Sequence, residues 1–365
     1  MARQAGLIVA AGALTLGSGV LPAQASTATV RWRLTHTVGA TSAWPVSFTS
    51  LIATGKHDAW LAGTANNSGP GGLKPLVEHW NGSSWRKMPI AAPASFTAIS
   101  GFGAASSKDA WAFTWNSKVA LHWNGVAWKD MTIPSWLIRV DGGGDYEATA
   151  EVFSPTDVLV FSGGPEHYAG RYNGRTWSKF RIPGVAGDVR AVSRDDIWME
   201  AFPGQTSSRP FLAHWNGHTW RRLAMPGPRL TQGGSESLVA VGGARDLWVQ
   251  RNDATRTQDW QHWNGKTWTR LSPPRGQAVF GLTADGHGGF WATGYGPKPA
   301  YHVYFWHRSG GRWTRQLAPG SAAARIGNIQ GIERVPGTTT ALAAGQATHA
   351  KYGPFLALWQ IGLSY

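Results

Sequence analysis

The chain has no cysteine. Disulfide staples, thiol redox chemistry and thiolate metal sites are therefore excluded, and a domain of this length does not need the staples. Acid is scarce: 20 Asp and Glu face 34 Lys and Arg, for a formal charge of +14, and charged residues make up only 15% of the chain. Beyond the first two dozen residues no apolar run is long enough for a membrane-spanning helix. No stretch there carries the 3.6-residue period of an amphipathic helix. G-x-S-x-G, H-E-x-x-H and a phosphate-cradling Gly-rich loop before a helix are all missing, which counts against hydrolase and nucleotide-binding readings. No motif calls for a cofactor.

What is present begins with a leader. Arg3 is followed by an apolar run, 6–20, and by Ala23-Gln24-Ala25 ahead of Ser26. This reads as a secretory signal peptide over 1–25, too short and wrongly flanked to be an anchor. A single exported, extracellular domain is expected over 26–365, and losing Arg3 leaves it at +13.

The body of the chain is a repeat rich in Trp (22) and Gly (47). His79-Trp80-Asn81-Gly82-Ser83-Ser84-Trp85 reads as an apolar strand, an Asn-Gly turn and a second strand opening with Trp. It recurs at His122–Trp128, Arg171–Trp177, His214–Trp220, His262–Trp268 and His307–Trp313. Upstream of each copy lies a second strand with an Asp-x-Trp signature, as in Asp58-Ala59-Trp60, Asp109-Ala110-Trp111 and Asp196-Ile197-Trp198. Asp246-Leu247-Trp248 is a further full copy, and weaker versions stand at Asp157-Val158-Leu159, Gly289-Phe290-Trp291 and Thr340-Ala341-Leu342. Before each of these is a small-residue strand, at 48–54, 96–102, 148–153, 189–193, 237–241, 279–283 and 329–335.

Four strands in units of about 45 residues predict an all-β, seven-bladed β-propeller with four antiparallel strands per blade. The small-residue strand should line the central channel, where only small side chains are expected to fit. The fourth strand should be outermost, with its basic side chains discouraging edge-to-edge pairing. Trp residues should fill the wedge between blades. The seventh copy is split. Phe355-Leu356-Ala357-Leu358-Trp359 matches Phe211-Leu212-Ala213-His214-Trp215, and its missing fourth strand is Val30-Arg31-Trp32-Arg33-Leu34 at the other end. The N- and C-terminal strands are therefore expected to pair and close the ring.

The repeated His residues sit one per blade, too far apart to share a metal, and each is read as bonding a group beside its Trp. The repeated Asp is read as a turn cap. Asp141, Asp145 and Glu147 fall close enough on one loop to be weak candidates for Ca²⁺, although the spacing is not that of an EF-hand. The Asp turns and Asn-Gly turns share one face, and the variable loops share the other, where binding usually resides. Trp115, Trp136, Tyr146, Tyr168, Trp260, Tyr301 and Tyr352 are placed on those loops, with Glu166 among them. Rings that stack on a sugar and polar groups that bond its hydroxyls suit carbohydrate.

The H-W-N-G-x-x-W repeat after D-x-W resembles secreted β-propellers of filamentous actinobacteria. Its arrangement is similar to seven-bladed propeller lectins, including the lectin subunits of actinobacterial umbrella-shaped toxin particles. With the loop aromatics and the spread positive charge, the expectation is a secreted, non-catalytic, lectin-like protein whose partner is a glycan or an anionic cell-wall polymer. The alternatives are a docking subunit of a secreted toxin complex and a propeller glycosidase or lyase. Positive charge is spread through the repeat and not gathered in runs, so nucleic acid is not expected.

Overall fold

Seven four-stranded antiparallel sheets make up the computed structural model. It describes residues 31–362 apart from 40–45, 68–71, 92, 94–95, 97, 115–117, 138–147, 163–166, 205–209, 225–234, 244, 253–257, 275–276, 297–301, 321–323 and 350–352. The expected leader lies outside the described residues. No described helix is long and apolar enough to cross a membrane.

Strand β1 (Arg33–Val38) belongs to the last blade. Blade 1 is β2 (Val46–Gly55), β3 (Asp58–Asn67), β4 (Gly72–Trp80) and β5 (Trp85–Lys87). Blade 2 is β6 (Gly101–Ser106), β7 (Asp109–Phe113), β8 (Val119–Trp123) and β9 (Trp128–Thr132). Blade 3 is β10 (Ala148–Ser154), β11 (Asp157–Ser162), β12 (Tyr168–Tyr172) and β13 (Trp177–Arg181). Blade 4 is β14 (Val185–Ser193), β15 (Asp196–Phe202), β16 (Phe211–Trp215) and β17 (Trp220–Leu223). Blade 5 is β18 (Ser235–Gly243), β19 (Asp246–Asn252), β20 (Gln258–Trp263) and β21 (Trp268–Leu271). Blade 6 is β22 (Ala278–Ala284), β23 (Phe290–Tyr295), β24 (Val303–Ser309) and β25 (Arg312–Leu317). Blade 7 is β26 (Ala324–Arg334), β27 (Ala341–His349) and β28 (Gly353–Ile361), completed by β1. This is the seven-bladed propeller that the repeat predicts.

Each blade buries little on its own, so the core lies between blades. One apolar cluster fills each of the seven interfaces. Between blades 1 and 2, for example, Trp60 and Val77 meet Phe96, Phe102 and Leu121. Trp60, Trp111 and Trp198 are at most 1% exposed. Burying an indole of this size removes a large apolar area from water, so these residues carry much of the inter-blade adhesion.

In blades 1 to 5 the two short turns pack together, which accounts for their uniformity. Asn81 Oδ1 accepts from the backbone N–H groups of Ser83 (3.1 Å) and Ser84 (3.0 Å). Gly82 adopts φ 97°, and a Cβ there would meet His57 of the adjacent turn. An L side chain is thus disfavoured twice, by conformation and by space.

The ring closes as expected: β1 pairs antiparallel with β28, with Leu34 opposite Trp359. The detailed alignment of the split copy differs. In blade 4, Ile197 faces Trp215 and Trp198 faces His214. In blade 7, Ala341 faces Ile361 and Leu342 faces Gln360. Ile361 and Gln360 therefore occupy the Trp and His positions, and Trp359 sits two residues earlier than its sequence match implies. A slip of two leaves every side chain on the same face of the strand, so apolar alternation cannot detect it.

Candidate functional site

The repeated Asp and His meet within each blade. His Nε2 lies 2.6 Å from Asp58 at His79, and 2.8 Å from Asp109, Asp196 and Asp246 at His122, His214 and His262. Each imidazole also lies on a Trp ring, with centroids 4.4 Å apart for Trp60–His79 and 4.3 Å for Trp198–His214. In blade 1, Thr54 Oγ1 donates to Asp58 at 2.5 Å. These are half-buried brackets tying the second strand to the third, and none faces another blade's copy.

Two drifting blades keep the bracket with other residues. In blade 3, Arg171 takes the His position and reaches both oxygens of Asp157 at 3.2 Å. In blade 6, Gly289 replaces the Asp, and Asp285 substitutes from four residues upstream. Its carboxylate accepts from the N–H groups of His287 (2.7 Å) and Gly289 (2.9 Å) and lies 2.8 Å from His307. Burial alone would raise the Asp285 carboxyl, but the hydrogen bonds from His307, His287 and Gly289 outweigh it and hold it below the usual carboxylate value.

The variable face brings two of the candidate aromatics together. Trp136 lies on the turn after β9, and Tyr168 opens β12 in the next blade; their rings meet edge to face at 5.6 Å. The turn is pinned by Leu137 N–H donating to Pro134 O at 2.9 Å. Leu137, 1% exposed, lies over Gly170, where a Cβ would collide with it. Glycine in β12 thus gives this turn its seat. The Lys179 ammonium stands 4.1 Å from the Tyr168 centroid and 5.5 Å from that of Trp136. Both rings are half-buried, and Lys179 is exposed. The result is an aromatic ledge with a cation on it, in the groove between blades 2 and 3.

Trp260 is a correction. It belongs to β20 and not to a loop, is 0% exposed, and packs on Phe290 and Trp313. Strands β19 and β20 run further than their sequence suggests, so the loop between them is shorter and Trp260 serves the core. Trp115, Tyr146, Glu166, Tyr301 and Tyr352 lie outside the described residues, as do the cation candidates Asp141, Asp145 and Glu147. Among the described residues, no three acidic or His side chains gather as a metal site.

A central channel of about 1840 Å³ runs between the first strands. Small residues make up only part of its lining, and the expectation that only they fit is overturned most clearly by Glu151, Arg190 and Glu333. Pairing register places all three on one rung. Glu151 faces Leu159, Arg190 faces Trp198 and Glu333 faces Leu342, which are the equivalent second-strand positions of their blades. The other rung members are Ile52, Gly103, Ala240 and Thr283. The axial space is wide enough to take three long side chains from separate blades. Burial among the sheets pushes the Glu151 carboxyl up to about 8, against Arg190 and the N–H of Ala191, with the Glu333 charge adding to the rise. Burial likewise pushes Glu333 up to about 7, against Arg190. The signal in the sequence is a charge at a strand position whose other copies hold Ile, Gly, Ala or Thr.

No family model matches the chain, and no curated protein matches it. Among solved structures, a protein described as YCF48 bound to D1 peptide superposes with TM-score 0.56 at 13% identity, covering 90% of this chain and 94% of its own. The GH74 xyloglucanase of Xanthomonas campestris gives TM-score 0.55 at 15% identity, over 89% of this chain and 55% of the enzyme. The six-bladed fucose-recognising lectin of Aleuria aurantia reaches TM-score 0.44 at 11% identity, over 77% of this chain and 97% of the lectin. At such identities the first two likenesses speak for the propeller fold alone, and the third carries no weight.

Proposed function

We propose that this propeller is an exported, non-catalytic binding protein that recognises carbohydrate on its variable face. The observation that supports the reading is the Trp136–Tyr168 pair with Lys179 beside it. An exposed part of each ring offers an apolar surface for a sugar's C–H face, and the ammonium offers donors for hydroxyl or carboxylate oxygens. Rigid sheets beneath keep the ordering cost of binding low. The leader over 1–25 is part of the same proposal, since extracellular glycans require export. A glycan array probed with the purified protein tests the reading. Retention on at least one carbohydrate class, reduced in Tyr168→Ala, is expected; no retention on any glycan argues against it.

A second reading rests on Glu151 and Glu333, two carboxylates with raised pKa on one rung of a cavity. A glycosidase would need such a pair. That reading predicts release of reducing ends from polysaccharide, abolished in Glu151→Gln.

A further inference from the structure

We propose that the outer circumference of the ring is a second binding surface, and that its partner is a flexible acidic polysaccharide. It meets the aromatic ledge at Lys179 but extends over the blades beyond it, and it stands whether or not that ledge binds sugar.

The observation is that charge is sorted by radius. The seven fourth strands, β1, β5, β9, β13, β17, β21 and β25, hold eleven Lys and Arg and one acid, Asp130. That net +10 is most of the chain's +14. The second strands hold six Asp and Glu against Arg251 alone, a net of −5. Charge on an edge strand prevents edge pairing whatever its sign. An outer wall almost entirely of one sign goes beyond that need, and it carries the self-repulsion of like charges.

Register sharpens the pattern. Lys179 faces Gly170, Arg222 faces Ala213, Arg270 faces Gln261 and Arg315 faces Trp306. These are the equivalent positions in blades 3, 4, 5 and 6, so four cations form an arc at one height on consecutive blades. Each is held in place. Lys179 stands over Tyr168, the Arg222 guanidinium is 3.6 Å from the Phe211 centroid, and that of Arg315 is 4.8 Å from the Tyr304 centroid. Arg270 lies 2.7 Å from Asp259 and is still 62% exposed. The arc ends at Asp130 in blade 2 and at Leu34 in blade 7. Side chains already fixed lose little further entropy on binding an anion, and exposed guanidinium groups can grip carboxylates with two hydrogen bonds.

Curvature selects the partner. A domain of this size has a radius of gyration of about 20 Å, so its outer surface curves on a radius of a few nanometres at most. Duplex DNA, with a persistence length of about 50 nm, bends round such a circumference only at large cost. A single-chain polymer of uronate sugars follows it freely.

The test is binding of polygalacturonate to the full chain between low and high salt, with neutral dextran and single-stranded RNA as comparators. Binding should fall linearly on a log–log plot against salt, as counterion release requires, and dextran should not bind. The triple variant Arg222→Gln, Arg270→Gln, Arg315→Gln should bind about tenfold more weakly with a shallower salt slope. Lys179 is kept because it also belongs to the aromatic ledge. A control of equal charge, Lys108→Gln, Arg175→Gln, Lys266→Gln, removes exposed cations of the turns and should bind nearly as the parent. If the triple variant melts early, Arg315→Gln and Arg270→Gln alone should each show a smaller loss of the same kind. Equal weakening in the belt and control variants, no binding by the parent at low salt, or tighter binding of RNA than of polygalacturonate each overturns the proposal.

Discussion

Gln316 clamps the backbone of Trp32 from both sides. Its Oε1 accepts from Trp32 N–H at 3.0 Å, and its Nε2 donates to Trp32 O at 2.8 Å. Trp32 in turn stacks on Phe305 with centroids 3.9 Å apart and is 1% exposed. One amide thus docks the start of the closing strand onto blade 6, while β1 pairs with β28 in blade 7. Gln316→Ala should cost about 1–2 kcal/mol by leaving two backbone groups unsatisfied. Trp32→Ala should cost about 3–5 kcal/mol through the cavity it leaves. Urea unfolding of both variants checks this, and parental midpoints would show that closure does not hold the ring together.

The channel rung predicts a pH dependence. The Glu151 and Glu333 carboxyls are raised in the folded state, so the folded protein holds more protons than the unfolded chain between about 4.5 and about 8. Their contribution to stability is therefore full below the unfolded value and is lost as pH rises towards 8. In Glu151→Gln that loss should shrink, because the amide is neutral throughout and can still accept from Ala191. Melting temperatures from pH 5 to 9 test the point: the variant should overtake the parent at the alkaline end. Parallel curves would mean that channel water solvates the carboxylates well.

Asp285 gives the opposite sign. Its folded value lies below 3.8, so its contribution is present above that and is lost as pH falls through the folded value. Asp285→Asn should flatten this part of the acid limb while leaving His307 a weaker partner. His307→Ala should flatten it less, because the N–H groups of His287 and Gly289 still hold the carboxyl down once the hydrogen bond and charge of His307 are gone. Unfolding midpoints between pH 2 and 5 distinguish the two variants.

Blade number, strand order and closure were legible because the same short motifs recur and strand periodicity is unambiguous. Failures came where a strand offers no internal ruler. Trp359 slipped by two because that shift preserves its face. Trp260 reads as a loop residue because the continuation of β19 and β20 is polar. The sixth bracket is not legible in the repeat because Asp285 reaches its His from outside the D-x-W register. Trp136 and Tyr168 were separately visible as loop aromatics, but their contact crosses two blades and depends on Gly170 leaving room for Leu137. The rung of Glu151, Arg190 and Glu333 exists only once the ring has closed around its axis.

The aromatic ledge is the centre of this account, and calorimetric titration of the parent and of Tyr168→Ala with an oligosaccharide retained on the glycan array tests it most directly. The ring removed offers one stacking face, so a loss of about 1–3 kcal/mol is predicted, roughly five- to 150-fold in affinity. Trp136→Ala should show a similar loss together with a modest drop in melting temperature, since its ring also packs on the cluster between blades 2 and 3. Parental affinity in a folded Tyr168→Ala variant would contradict the account and move the sugar site away from this groove.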